Sequence, residues 1–259
     1  MKPVGHRFVP LACLLGLSAL LSACGGGDTS DDVGTGETAR KVASCGTDGG
    51  ALRVMPLGDS ITEAEAGHDS YRRVLWQRLN GAGCVADLVG SKSGVSRGSR
   101  DSGSVNPPRA DFDLNHEAYW DYSVNELLPR VSALVARSNP DVVLIHLGTN
   151  DLLDGQSSSG IAGELGGVID AIRASKPDTH ILLAKIIPAS PNTSGTAALN
   201  RLIDGVASGR SSATSPIRVV DQAAGYAVSD NYDGVHPGPS GESKLGNKWA
   251  DALLAWRTN

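Results

Sequence analysis

Leu52-Arg53-Val54-Met55-Pro56-Leu57-Gly58-Asp59-Ser60-Ile61 is the stretch on which the reading of the fold turns. Its first half is a short apolar run of strand length. Pro56, which cannot donate to a sheet ladder, marks a strand end. Reactive residue types follow at once in Gly58-Asp59-Ser60. The same arrangement recurs downstream. Val142-Val143-Leu144-Ile145-His146-Leu147 is strongly apolar and runs into Gly148-Thr149-Asn150-Asp151, and Ile217-Arg218-Val219-Val220 is followed by Asp233-Gly234-Val235-His236. Further strands are predicted over Val85–Val89 and His180–Ile187.

Helical periodicity fills the intervals. Val74, Leu75 and Leu79 set a helix over Tyr71–Leu79 that Gly81 closes, and Val124–Ala136 is helical despite Pro129, ending before Asn139-Pro140. Ile161–Ala174, Ala197–Val206 and Gly241–Trp256 complete the helices. Five strands separated by helices imply a parallel sheet covered on both faces, a three-layer α/β/α domain with flavodoxin-like winding. Ligands of such sheets bind beyond the carboxyl ends of the strands, so three chain-distant reactive segments converge on one rim. The polar stretch Gly90–Trp120 is too long for an idle connection and is a candidate binding loop.

The residue types at that rim suit nucleophilic catalysis. A serine hydroxyl needs an adjacent base at neutral pH, and His236 can take the Ser60 proton and return it to a leaving group. The imidazole in turn needs a partner at its other nitrogen, and Asp233 stands three residues earlier in the same turn. The Ser60 backbone N–H and the Asn150 side-chain amide are natural donors to an oxyanion. Read singly, Ser60 is a polar turn residue, Asn150 a turn or helix cap and His236 a surface residue; together they make a site.

Taken in order, Gly58-Asp59-Ser60-Ile61, Gly148-Thr149-Asn150-Asp151 and Asp233-Gly234-Val235-His236-Pro237 resemble the conserved blocks of the GDSL-type, or SGNH, hydrolases, with Ile61 in place of the usual Leu. The resemblance spans roughly Leu52 to Trp256 and is greatest to the acetyl xylan esterase branch. It implies the SGNH hydrolase fold. It also implies Ser60, Asp233 and His236 as catalytic residues, no metal or organic cofactor, and a small ester or acylated carbohydrate as substrate, with acetyl the acyl group removed. The family's second block supplies another oxyanion N–H from glycine. Here the matching segment is His116-Glu117-Ala118-Tyr119-Trp120-Asp121, which leaves Asp121 as the third donor and Gly94 and Gly98 as weaker candidates. An aspartate there is unfavourable unless its carboxylate points away.

Competing signals are weaker. Gly94-Val95-Ser96-Arg97-Gly98 fits a nucleophile-elbow pattern but lacks the strand and helix that the elbow needs, so it reads as a flexible loop. His116-Glu117 has no second histidine four residues on and is no zinc motif. His146 reads as a core histidine, His180 as a surface residue, and His68 with Asp69 as a solvated turn ahead of a lining of the site. Tyr119 and Trp120 read as packing ahead of a sugar or acyl platform.

The amino terminus carries a different message. Lys2, His6 and Arg7 precede the apolar run Val9–Ala23, too short to span a bilayer and suited to a signal peptide. Leu21-Ser22-Ala23-Cys24 resembles a bacterial lipobox, which implies a lipoprotein signal over residues 1–23, lipidation of Cys24 and an exported lipoprotein. Gly25 favours the outer membrane, whether on its periplasmic face or at the cell surface. Residues 24–44 are Gly-, Asp-, Ser- and Thr-rich and read as a disordered tether, leaving 45–259 as the hydrolase domain. The membrane is then a partner through the N-terminal lipid alone. Loss of the leader leaves 21 basic against 28 acidic residues, a net charge of −7 without a basic cluster, which argues against nucleic acid as a partner. Cys45 and Cys84 each stand just before a predicted strand, in an oxidising compartment, and are expected to pair. Two other functions fit the sequence less well. A lipid-directed esterase or lysophospholipase would suit the tether, and a catalytically impaired glycan-binding lipoprotein would suit Ala118 and Asp121.

Overall fold

The computed structural model describes Cys45 and residues 50–257, so the leader, Cys24 and the tether lie outside the described residues. Strand β1 (Leu52–Gly58) leads into the short helix α1 (Ser60–Glu63), then α2 (Tyr71–Gly81) and β2 (Ala86–Leu88). Short strands β3 (Lys92–Ser93), β4 (Val95–Ser96) and β5 (Ser104–Val105) precede β6 (Asn115–Ala118). Helices α3 (Val124–Leu127) and α4 (Val131–Ser138) then lead to β7 (Val142–His146). The chain continues through α5 (Thr149–Leu153), α6 (Ser158–Ser175), β8 (His180–Lys185), α7 (Thr193–Ser208), β9 (Ile217–Asp221) and α8 (Pro239–Arg257).

The five strands expected from the sequence lie in the order β2-β1-β7-β8-β9, all parallel, which is the flavodoxin winding. Alternation along β7 explains its unbroken apolar run. Val143 and Ile145 join the cluster built with Ile161, Ile169, Leu199 and Ile203 from α6 and α7, while Val142 and Leu144 join Leu75, Leu79, Leu245 and Trp249 from α2 and α8. Both faces are therefore buried, and a strand with two buried faces cannot show polar alternation.

Three expectations are corrected. The stretch 90–120 is not a structureless loop: β6 pairs in parallel with the carboxyl end of β1 (Leu57↔Glu117, Gly58↔Ala118), and β3 pairs antiparallel to β6. One edge of β1 is thus shared, β2 lying beside Leu52–Val54 and β6 beside Leu57–Gly58. The buried Arg72 guanidinium organises this excursion through the carbonyls of Leu114 (2.7 Å), Gly94 (2.6 Å) and Glu63 (3.1 Å). The helix predicted over Val124–Ala136 is broken into α3, a 3₁₀ turn over Leu128–Arg130 and α4, because Pro129 has no N–H to continue an α-helical ladder. His180 is half-buried against Trp256, ring centroids 3.9 Å apart, not free on the surface.

Cys45 and Cys84 form a disulfide with Cα atoms 5.1 Å apart, as their positions before neighbouring parallel strands implied. Among the described residues no helix is long and apolar enough to cross a membrane.

Candidate active site

The rim is built from the carboxyl ends of β1, β6 and β7 and from the turn before α8. Gly58 is required where β1 ends, since a Cβ there would come within 2.2 Å of Thr62 Oγ1 and 3.0 Å of the His146 carbonyl. Asp59 caps α1, its Oδ1 accepting the Ile61 N–H at 3.0 Å. Ser60 is the first residue of that helix, so its N–H has no intrahelical acceptor. Burial pushes the Asp59 carboxyl up to about 7, with the nearby Asp151 adding to the rise, and its Oδ2 has no partner among the described residues.

The turn Asp233–His236 brings its side chains back to Ser60. His236 Nε2 lies 2.9 Å from Ser60 Oγ, and His236 Nδ1 lies 2.6 Å from Asp233 Oδ2. Asp233 Oδ1 accepts two backbone N–H groups, from Val235 at 2.9 Å and His236 at 2.7 Å. Partial burial works to raise the Asp233 carboxyl, but the hydrogen bonds from the His236 backbone and ring outweigh it and hold the group below its ordinary value. Asp233 is therefore an ionised acceptor at neutral pH. That sets the ring proton on Nδ1 and leaves the Nε2 lone pair facing the serine hydroxyl.

Gly148, whose φ of +114° is a conformation that side chains rarely adopt, turns the chain from β7 into α5. Asn150 Nδ2 donates to the Tyr122 carbonyl at 2.9 Å, and the Asp151 carboxylate accepts the Val124 N–H at 3.0 and 3.2 Å. Both residues hold the loop between β6 and α3 from one side. From the other side, Tyr119 N–H reaches the Gly58 carbonyl at 3.0 Å and Trp120 N–H reaches Glu63 Oε2 at 2.6 Å. Asp121 in this loop is exposed at φ +62°, in the left-handed region that aspartate, with its short polar side chain, visits more readily than most residues. Its carbonyl accepts from Arg100 at 3.1 Å.

A shallow cleft, partly open to solvent, adjoins the serine and includes Glu65, His68, Tyr232, His236 and Glu242 in its wall. Tyr232 donates to Glu65 Oε1 across it at 2.5 Å, and the His68 ring stacks on Tyr232 at 4.1 Å. Burial raises Glu242 to about 7, where its Oε1 accepts the Ser70 N–H at 3.1 Å.

Several sequence readings change here. The segment 68–69 is not a solvated turn: His68 is half-buried in the cleft wall, and Asp69 is buried against Arg109, whose N–H it accepts at 2.8 Å. Trp120 is not ordinary packing, since its ring lies on His236 with centroids 4.7 Å apart and planes 17° from parallel. Tyr119 packs against Tyr122 and donates to Glu117 at 2.5 Å. Ser96 is buried on β4, bonded to Ser99 and Ser102, and His146 is buried in β7, where loss of hydration lowers it to about 4. Among the described residues no group of three or more His, Cys, Asp or Glu side chains could hold a metal ion. The sequence missed Glu63, Tyr232 and Glu242. Glu63 stands three residues after Ser60 in α1 and Tyr232 directly before Asp233, whereas Glu242 reaches the cleft only through the fold.

Residues 57–244 match the GDSL-like Lipase/Acylhydrolase family. A multidomain esterase of Ruminococcus flavefaciens is 29% identical over 227 residues, which cover 79% of this chain. The match spans only 28% of that longer protein. A carbohydrate esterase family 3 structure from Talaromyces cellulolyticus superposes with a TM-score of 0.69 at 28% identity, covering 80% of this chain and 98% of that one. A structure of an acetyl esterase variant with acetate ion gives the same TM-score at 27% identity, with coverage of 80% and 98%.

Proposed function

The chain belongs to the GDSL-like lipase/acylhydrolase family, and from that premise we propose that it is an esterase that removes small acyl groups, acetyl foremost, from carbohydrate through an acyl-enzyme on Ser60. The observation that carries the reading is the unbroken relay from Ser60 Oγ through His236 to Asp233, at 2.9 and 2.6 Å. Ser60 Oγ attacks the ester carbonyl as its proton passes to Nε2, and the new imidazolium is balanced by Asp233. The oxyanion is held by the Ser60 N–H, the Asn150 amide and the Asp121 N–H, each such donor being worth roughly 100- to 1,000-fold in rate. His236 then gives the proton to the departing alkoxide, leaving acyl-Ser60. Water, deprotonated by the same Nε2, attacks this ester, and collapse returns the proton to Ser60 and releases the acid.

The cleft beside Ser60 supports a short acyl group. The presence of Glu65, His68 and Glu242 in the wall makes poor surroundings for a long alkyl chain, which weighs against the lysophospholipase reading. The intact relay weighs against a glycan-binding protein without catalysis. Export as a lipoprotein rests on the leader sequence, and the Cys45–Cys84 disulfide suits an oxidising compartment.

The test is hydrolysis of p-nitrophenyl esters from acetate to laurate by residues 45–259, beside Ser60→Ala. Ser60-dependent turnover that falls with acyl length is expected. Turnover that survives Ser60→Ala would sink the mechanism, and a preference for laurate would sink the acyl assignment.

A further inference from the structure

We propose that Trp120 is a positioning residue for His236, bracing the face of the imidazole that its two hydrogen bonds leave free; this rests on the reading of Ser60 and His236 as nucleophile and base. The bonds to Ser60 Oγ and Asp233 Oδ2 both lie at the edge of the ring. They define an axis across the imidazole and do little to resist rocking about it. Rocking tilts the Nε2 lone pair away from Oγ, and hydrogen bonds weaken steeply with misalignment. A flat neighbour resists it. The Trp120 indole lies 17° from parallel at 4.7 Å, and the Tyr232 ring lies 23° from parallel at 5.9 Å.

Trp120 is itself held. Its backbone N–H meets Oε2 of Glu63, and the other oxygen of this buried carboxylate is paired with Lys92. The preceding residue is fixed by the Tyr119 N–H bond to the Gly58 carbonyl. Glu63 and Ser60 share helix α1, so one short helix carries the nucleophile and anchors the brace of its base. The indole face is also the side an imidazolium favours, by attraction of the cation to the ring quadrupole. With one face turned to His236, Trp120 acts on the reaction through the base.

The experiment compares Trp120→Leu with Trp120→Phe by full kinetics on p-nitrophenyl acetate, with thermal melts and Ser60→Ala alongside. Leucine keeps apolar bulk and lacks a π face, whereas phenylalanine keeps a ring. The expected result is a kcat about five- to tenfold lower in Trp120→Leu with KM unchanged, and within about twofold of the parent in Trp120→Phe, as an aromatic contact of ordinary strength would give. A rise in KM with kcat unchanged would mean a substrate platform and overturn the proposal. Equal loss in both variants, or parent-like kcat in Trp120→Leu, would overturn it as well. Where Trp120→Leu does not fold, Trp120→Met takes its place in the same comparison. Activity that persists in Ser60→Ala would instead overturn the mechanism on which the proposal rests, so the two failures are distinct.

Discussion

Asp233→Asn isolates the electrostatic part of the relay, because the structure dictates how the new amide must sit. Oδ1 of Asp233 accepts two backbone N–H groups, at 2.9 and 2.7 Å. An asparagine turned the other way would set its NH₂ against both donors, so its carbonyl takes the Oδ1 position and its NH₂ takes that of Oδ2. The amide then points a donor at His236 Nδ1, 2.6 Å away in the parent. The ring can accept that bond only by moving its proton to Nε2. There the proton faces Ser60 Oγ, and the base has lost the lone pair it needs. The loop itself keeps its backbone contacts, so the fold is untouched. A tautomer error of this kind costs about 10⁴-fold in kcat in the serine protease that serves as its template. We expect a loss of about 10³- to 10⁴-fold here, or roughly 4–5.5 kcal/mol of transition-state stabilisation. Single-turnover release of p-nitrophenol at pH 7 measures it, with KM close to the parent and an unchanged melting temperature. A loss of less than tenfold would refute the argument that the Asp233 carboxylate sets the tautomer.

Two further outcomes follow from the same surroundings. Burial raises Glu242 to about 7 from an ordinary 4.5, so between those values the folded chain holds a proton that the unfolded chain has released, and this group's contribution to stability falls as pH rises through the window. Glu242→Gln, which keeps the acceptor for Ser70, should gain on the parent between pH 5 and 8 by up to on the order of 3 kcal/mol in urea unfolding. An equal difference at both pH values would contradict the shift. Asp121→Gly removes an exposed carboxylate beside the proposed oxyanion site and suits the left-handed backbone. Its kcat should rise at most about threefold at low ionic strength, a gain that fades toward 1 M salt. A tenfold fall in kcat without loss of folded protein would show that the carboxylate contributes to the reaction.

Strands β1 and β7 were legible because both of their faces are buried, which writes a continuous apolar run, and because each ends in small and polar residues that no strand interior would hold. Strand β6 was not legible, since Asn115-His116-Glu117-Ala118 looks like loop. Its His116 and Glu117 side chains are buried on partners that hydropathy does not register. His116 Nδ1 accepts the Ala118 N–H at 3.1 Å, and Glu117 accepts the Ser91 N–H at 2.8 Å and the Ser91 hydroxyl at 2.7 Å. The site divides in the same way. Ser60, Asn150 and Asp233 with His236 stand in local patterns directly after strands or before a helix, where chemistry and chain direction agree. Trp120 meets His236 only after the sheet has closed, and a residue's neighbours across the fold leave no trace in its own segment. Asp69 was misread for a related reason, because its partner Arg109 lies forty residues on.

The disulfide lies at the opposite pole from the chemistry. Cys84 precedes β2, whose first residue pairs with Leu52 at the start of β1, whereas Ser60 follows the last residue of that strand. Seven residues of extended chain separate the two ends, about 20 Å. Cys45 is therefore stapled to the back of the domain, and the Ser60 rim faces away from it. A force applied at Cys45 would pass into the cross-link and the amino ends of the strands without crossing the turn that carries His236.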